Sequence, residues 1–239
     1  MSNVELLNPK QHQSIRVFAT PSATTGGNIH FVPVVADELR ALCTEYPVFF
    51  MKDENTGQFG LNALLGFQPG ENCFLSPDGW RAHYMPLHLR CQPFKVALKS
   101  GDKPHQGAVA IDMASPRIVK DTQQHETVES LFNTQGAPTD YLQHITALLP
   151  KLMSGIEATQ GFIEQLLTHK LITPRALDIK FPDGEQKRFT GFYSLDEQAL
   201  QALSGKQLED FHKKGFLQAS HLILASGNNL QSLIDKRAR

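Results

Sequence analysis

Apolar positions along this chain follow two rhythms. From Ile29 to about Met113 they come in short runs: IHFVPVV, VFFMK, QFGLNALLGF, ENCFL, WRAHYMPLHL, FKVALK and GAVAIDM. Each has strand length and is bounded by turn residues. NTG, QPG, SPDG and KSGDK separate them, and their Gly, Pro, Asn and Asp reverse a chain within a few residues. Connections this short leave no room for a parallel crossover, so the predicted sheet is mainly antiparallel. Pro33 removes a ladder N–H and places IHFVPVV at a sheet edge. One helix interrupts the series. In ADELRALCTEYP, Val35, Leu39, Leu42 and Cys43 recur at helical spacing, Asp37 and Glu38 suit the first turn, and Pro47 ends it.

From Pro138 the period changes. Leu142, Ile145, Leu149, Leu152, Ile156, Ile163 and Leu166 follow helical steps that only Thr159 interrupts. Such a stripe is buried, either on the sheet and a neighbouring helix or in a coiled coil with a partner. Pro150 removes an internal hydrogen bond, and Gly155 and Gly161 each weaken a helix by about 1 kcal/mol. Two helices or one kinked helix are therefore predicted. ALDIKF and KRFTGFYSL then flank Asp183-Gly184 as a hairpin. Ser194 or Asp196 caps a helix through Leu203, Gly205 separates it from LEDFHKKG, and Gly215 stands where a left-handed cap belongs. HLILASGNNLQSLIDKR reads as a last helix. The fold class is α+β, with a mainly antiparallel sheet in the N-terminal half packed against helices from the C-terminal half. Residues 1–28 are polar, end in TPSATTGG and read as a loosely ordered arm, leaving 29–239 as a single domain.

Composition narrows the partners. The chain of 239 residues carries 23 Lys+Arg against 24 Asp+Glu, a formal net charge of −1. Near-neutrality argues against bulk nucleic acid or an anionic membrane as partner. The N-terminus lacks an apolar stretch of signal-peptide length, and no window approaches the roughly 20 apolar residues of a membrane span. The expected address is the cytoplasm, with surface association only by an unrecognised route. Cys43, Cys73 and Cys91 are odd in number and irregular in spacing, which points to buried thiols rather than a disulfide framework.

The motifs of common chemistries are missing: neither G-x-x-x-x-G-K-[ST], G-x-G-x-x-G nor G-x-S-x-G occurs, and His125-Glu126 begins no H-E-x-x-H because Glu129 stands in the second histidine's place. No catalytic residue, metal ligand or cofactor is assigned. Trp80–Phe94, WRAHYMPLHLRCQPF, stands out, with the only tryptophan beside histidines and arginines. On a regular strand Trp80 and Tyr84 share one face and Arg81 and His83 the other, and His83 and His88 share a metal only if Pro86 bends the chain. Aromatic rings beside arginines serve either a binding surface or the cover of a core. Trp80, Arg81, Tyr84, His88 and Arg90 are the candidate binding residues.

These segments resemble the bacterial SapC family. The resemblance is carried by FVPVVADEL, EYPVFF (45–50), ALLGF (63–67), GENCFL with DGWRAHYMPLHLR (70–90) and PF (93–94). It continues through ID (111–112), LF with GAPTDYL (131–142), GFYSLDEQALQAL (191–203) and the closing ASGNNLQSLIDKR. His88 departs from the family's usual aromatic, and Cys91-Gln92 from its Arg and aromatic. The resemblance implies a link to bacterial surface-layer loci associated with serum resistance. It also implies a genomic setting beside flavin-dependent halogenase-like proteins, cupin-like oxygenases and TonB-dependent receptors. It supplies no catalytic residues, and the peptide-transporter permease that shares the name is a different protein. The expected function is a non-catalytic accessory protein that binds a protein or peptide, with a halogenase-like or cupin-like protein as candidate partner. One alternative is an enzyme whose site is assembled from distant residues such as His30, His83, His88, His125 and His221. The other is a structural component of the surface layer.

Overall fold

Turn chemistry and apolar rhythm together produce an α+β fold in which every strand pair among the described residues is antiparallel. The computed structural model describes residues 3–76, 79–98, 107–119 and 128–237. The KSGDK turn beyond Leu98 and His125 lie outside them. The chain forms two compact units, each made from two segments.

Unit 1 comprises Met1–Ile29 and Phe74–Ser154. Strands β1 (Val4–Leu6) and β2 (Arg16–Phe18) come from the segment whose polar composition predicts an arm, where the apolar Ile15 and Val17 are buried. β1 pairs with β9 (Ala108–Asp112), and β9 with β8 (Phe94–Ala97). β2 lies between β10 (Ile118–Val119) and β11 (Val128–Ser130). Helix α1 (Pro9–His12) begins with proline, and the Asn8 side chain accepts the Lys10 N–H.

The run WRAHYMPLHL does not form the expected strand. Only Gly79–Trp80 (β7) pairs, with Leu75–Ser76 (β6). The chain then bends and enters helix α3 (Leu87–Cys91), with Pro86 at its N-cap. Proline offers no ladder N–H, and Leu87, Leu89 and Cys91 are buried on the helical turn that follows.

Unit 2 comprises His30–Cys73 and Gly155–Arg239. Its sheet runs β12 (Ile172–Lys180), β13 (Gln186–Leu195), β4 (Val48–Lys52), β5 (Phe59–Leu64), β3 (Phe31–Pro33). Pro33 lies on an edge strand, as its missing N–H requires. The β12–β13 hairpin closes through Phe181–Glu185, with Gly184 at φ +89°. Ala36–Glu38 forms a 3-10 turn leading into α2 (Leu39–Leu42). Asp196 caps α5 (Glu197–Gln201), and Ser204 with Gln207 forms a capping box on α6 (Gly205–Lys213). The closing segment is two helices rather than one, α7 (Phe216–Ser226) and α8 (Asn229–Arg237). Their junction is held by Asn229, whose Nδ2 donates to the carbonyls of Cys43 (2.8 Å) and Tyr46 (3.1 Å). The core of unit 2 stacks Phe50, Phe162 and Phe216, with successive ring centroids 6.4 and 5.2 Å apart.

Helix α4 (Asp140–Thr168) is a single helix of 29 residues, so the two-helix expectation fails. At 1.5 Å per residue it is about 44 Å long. Pro150 costs about 3 kcal/mol in a helix interior. It is tolerated because Leu149 and Leu152 beside it are buried, while Pro150 and Thr146, whose carbonyl loses its partner, face outward. The stripe also departs from expectation at Ile156, which is 41% exposed. The buried line passes instead through Gly155 and Thr159. A Cβ at Gly155 would stand 2.8 Å from Val35 Cγ2, so only glycine allows this approach. Thr159 is the polar exception with a reason: its Oγ1 donates to the Gly155 carbonyl (2.6 Å) and accepts the N–H of Ala36 (2.8 Å).

Thr159→Val should therefore leave a half-buried N–H unpaired and destabilise the protein by about 1–2 kcal/mol. Thr159→Ser keeps the hydroxyl and should recover most of that loss. Urea denaturation of both variants checks the difference.

Candidate functional site

Two segments of unit 1 supply the walls of a cavity of about 450 Å³, within the range of small-ligand sites. The first is the bend after Trp80, which proline keeps out of the sheet; it contributes His83, Tyr84 and Met85, and α3 adds Arg90. The second is the start of α4. Its N-terminus is fixed by Thr139, whose hydroxyl donates to the Ser130 carbonyl (2.6 Å) and accepts the Leu142 N–H (3.3 Å). Tyr141, His144, Ile145 and Leu148 follow at the i, i+3, i+4, i+7 spacing of one helical face, and all four line the cavity.

The two segments meet in a hydrogen bond between Arg90 Nη2 and His144 Nε2, 3.2 Å long. A guanidinium only donates, so His144 accepts through Nε2 and carries its ring proton on Nδ1. Among the described residues the lining combines the guanidinium, two imidazoles and two phenols with the apolar surfaces of Ala19, Met85, Ile145 and Leu148, and includes no carboxylate.

Of the five candidate binding residues, Tyr84 and Arg90 line this cavity and the other three do not. Trp80 is half-buried and stacks on the buried Phe74, with centroids 6.0 Å apart and planes at 18°. It does the work of a core cover. The Arg81 side chain is exposed, and its backbone N–H donates to the Phe74 carbonyl (2.7 Å). His88 is half-buried on α3. The sequence reading missed Tyr141 and His144, although their spacing beside the buried Leu142 and Ile145 marks a second face of α4.

His83 and His88 belong to unit 1, whereas His30 and His221 belong to unit 2. The described residues contain no group of three or more His, Cys, Asp or Glu placed to hold a metal. Burial lowers the His30 pKa, with Glu71 opposing the shift. Burial pushes the Cys43 and Cys73 thiols up to about 11, so both are protonated at neutral pH. No described helix is long and apolar enough to cross a membrane.

The SapC family model matches residues 7–233 of the 239. The chain belongs to the SapC family. No curated protein and no solved structure shows a significant match.

Several of the segments that carry the SapC resemblance have structural duties in unit 2. In GENCFL, Glu71 accepts the N–H groups of Phe67 (2.5 Å) and Gln68 (3.2 Å) and pairs with Arg237 of the closing IDKR (2.8 Å). Arg237 also lies over the Phe181 ring, 3.9 Å from its centroid. In ASGNNLQ, Ser226 accepts the Val48 N–H (3.0 Å) and Asn229 holds the two carbonyls already described. These residues are explained by folding. The bend after Trp80 is not, because Tyr84 and Arg90 turn toward a cavity.

Two outcomes separate packing from function. Trp80→Ala should lower stability by about 1–3 kcal/mol through loss of the Phe74 stack while leaving ligand binding in the cavity intact. Circular dichroism during urea denaturation, with a binding assay below the transition, reads both. Iodoacetamide at pH 8 should alkylate the native cysteines at least about tenfold more slowly than those of the urea-denatured chain, since burial disfavours the thiolate.

Proposed function

We propose that this SapC-family protein is a non-catalytic accessory protein that binds a protein or peptide partner. The observation that supports this reading is the lining of the unit 1 cavity: rigid aromatic rings and an arginine, the residues that anchor protein contacts, beside aliphatic surface. The setting is a bacterial surface-related or halogenase- and oxygenase-associated system, on the strength of what the family resemblance implies. The candidate partner is a flavin-dependent halogenase-like or cupin-like protein, and the protein works in the cytoplasm unless an unrecognised route delivers it to the surface.

A second reading has its own observation. His83 and His144 line one cavity, and paired imidazoles are the commonest acid–base groups. Stoichiometric metal, a chromophore or turnover of a bound compound by the untagged protein would favour that enzyme. Recovery of the chain in an isolated surface layer would favour the structural component.

The accessory reading is tested by capture of the purified products of neighbouring genes on immobilised protein. A partner should bind at micromolar concentration or tighter. Arg90→Ala and Tyr84→Ala should each weaken it by about tenfold or more with unchanged thermal unfolding. No capture at tens of micromolar, or equal capture by wild type and both variants, overturns the reading for this cavity.

A further inference from the structure

Unit 1 buries an arginine with no counter-charge among the described residues. Arg117 is 1% exposed. Its Nη1 donates to the carbonyls of Leu89 (2.8 Å) and Gln92 (3.2 Å), while Nε and Nη2 have no hydrogen-bond partner among the described residues. Burial lowers its pKa only to about 10, so it remains a cation at neutral pH. An isolated buried cation is costly unless carbonyl dipoles or an anion compensate it, and among the described residues the two carbonyls do so.

This arginine bears on the cavity in two ways. It holds the carbonyl of Leu89, the residue before Arg90, and so fixes the turn that presents Arg90 to the cavity. It also acts electrostatically on Tyr141, whose hydroxyl is buried, without a partner among the described residues, and part of a side chain that lines the cavity. Burial pushes the Tyr141 pKa up to about 12, so the phenol is a neutral donor at neutral pH. Among the described residues the carboxylate that acts on Tyr141 is Glu129, at an exposed position of β11.

Among the described residues the cavity lining therefore carries donors and positive charge and no carboxylate, beside the apolar Met85, Ile145 and Leu148. We infer that it binds an organic carboxylate with an apolar body, the carboxylate on Arg90 and the hydrocarbon against Met85, Ile145 and Leu148. One guanidinium matches one carboxylate fork to fork. A phosphate dianion would bring more charge and leave the aliphatic wall unused. The inference rests on the binding reading above and names its ligand chemistry. Two sources share that chemistry: the C-terminus of a peptide ending in an apolar residue, and a free aliphatic acid.

Titration of the full chain at constant ionic strength with N-acetyl-leucine, N-acetyl-leucinamide, hexanoate and inorganic phosphate tests it. N-acetyl-leucine should bind at least about tenfold more tightly than its amide, which has the same body and no charge. Arg90→Gln should remove that preference, Arg90→Lys should restore part of it, and neither should change binding of the amide. Tyr141→Phe should keep or raise thermal stability, since it deletes an unpaired buried hydroxyl. N-acetyl-leucine binding more tightly than hexanoate assigns the peptide terminus, and the reverse order assigns the aliphatic acid. Equal binding of acid and amide, tighter binding of phosphate, or no binding of any probe overturns the inference. If a protein partner is still captured through Arg90 in any of those cases, the accessory reading survives without it. Carboxylate binding with no protein partner supports the inference and removes the accessory reading.

Discussion

Helix α4 is the constraint on which both units depend, because each unit draws part of its core from it. Leu142, Ile145, Leu149 and Leu152 are buried in unit 1, and Phe162, Ile163 and Leu166 in unit 2. Each unit is built from two chain segments, so neither is complete until α4 has formed. In a folded protein most of a helix's stability comes from burial of its apolar face, and α4 is held that way. That burial also explains how Pro150 is tolerated. A proline costs about 3 kcal/mol, comparable to fully burying one or two large aliphatic side chains, and α4 buries many more.

The changes of hydrophobic period revealed the element types, and local chemistry revealed the edges and caps. Pro33 on an edge strand, Asp183-Gly184 in a hairpin and Asp196 and Ser204 at helix starts follow from interactions within a few residues. The failures came where a distant contact decided the outcome. Ile156 fits the apolar rhythm but is exposed, while Gly155 and Thr159 break the rhythm and are the residues in contact with Val35 and Ala36. A buried threonine whose hydroxyl both donates and accepts cannot be distinguished from an interruption until its partner, 123 positions away, is located. The strand expected over Trp80–Leu89 failed for a local reason that had been visible: Pro86 favours a helix start over a ladder.

The site was half legible. The unusual concentration of aromatic and basic residues after Gly79 identified the segment, and the bend at Pro86 decided which of its side chains reach the cavity. Two-residue alternation grouped Trp80 with Tyr84, a grouping that lasts only as long as the strand. With the strand confined to Gly79–Trp80, Trp80 remains with Phe74 and Tyr84 turns away. Tyr141 and His144 carried a helical signal that the buried stripe obscured. Arg117 carried none, since an arginine after Pro116 in a turn-rich stretch reads as solvated.

The energetics of Arg117 bear on what the segment is for. A well-packed apolar side chain can replace a buried charge with no loss of stability, and often with a gain, so stability alone does not call for a guanidinium here. What an apolar residue could not do is hold two carbonyls at once. Leu89 and Gln92 lie on either side of Arg90 and Cys91, and Arg117 Nη1 ties both ends of that stretch to one point. The Arg90 side chain is thereby held from the backbone side while its Nη2 meets His144 on α4. Fixing both ends of a flexible cation before a ligand arrives lowers the entropy lost when it binds. If the cavity binds its ligand through Arg90 as proposed, the buried charge is pre-organisation: folding bears the desolvation of Arg117, and the cavity gains an arginine already in place.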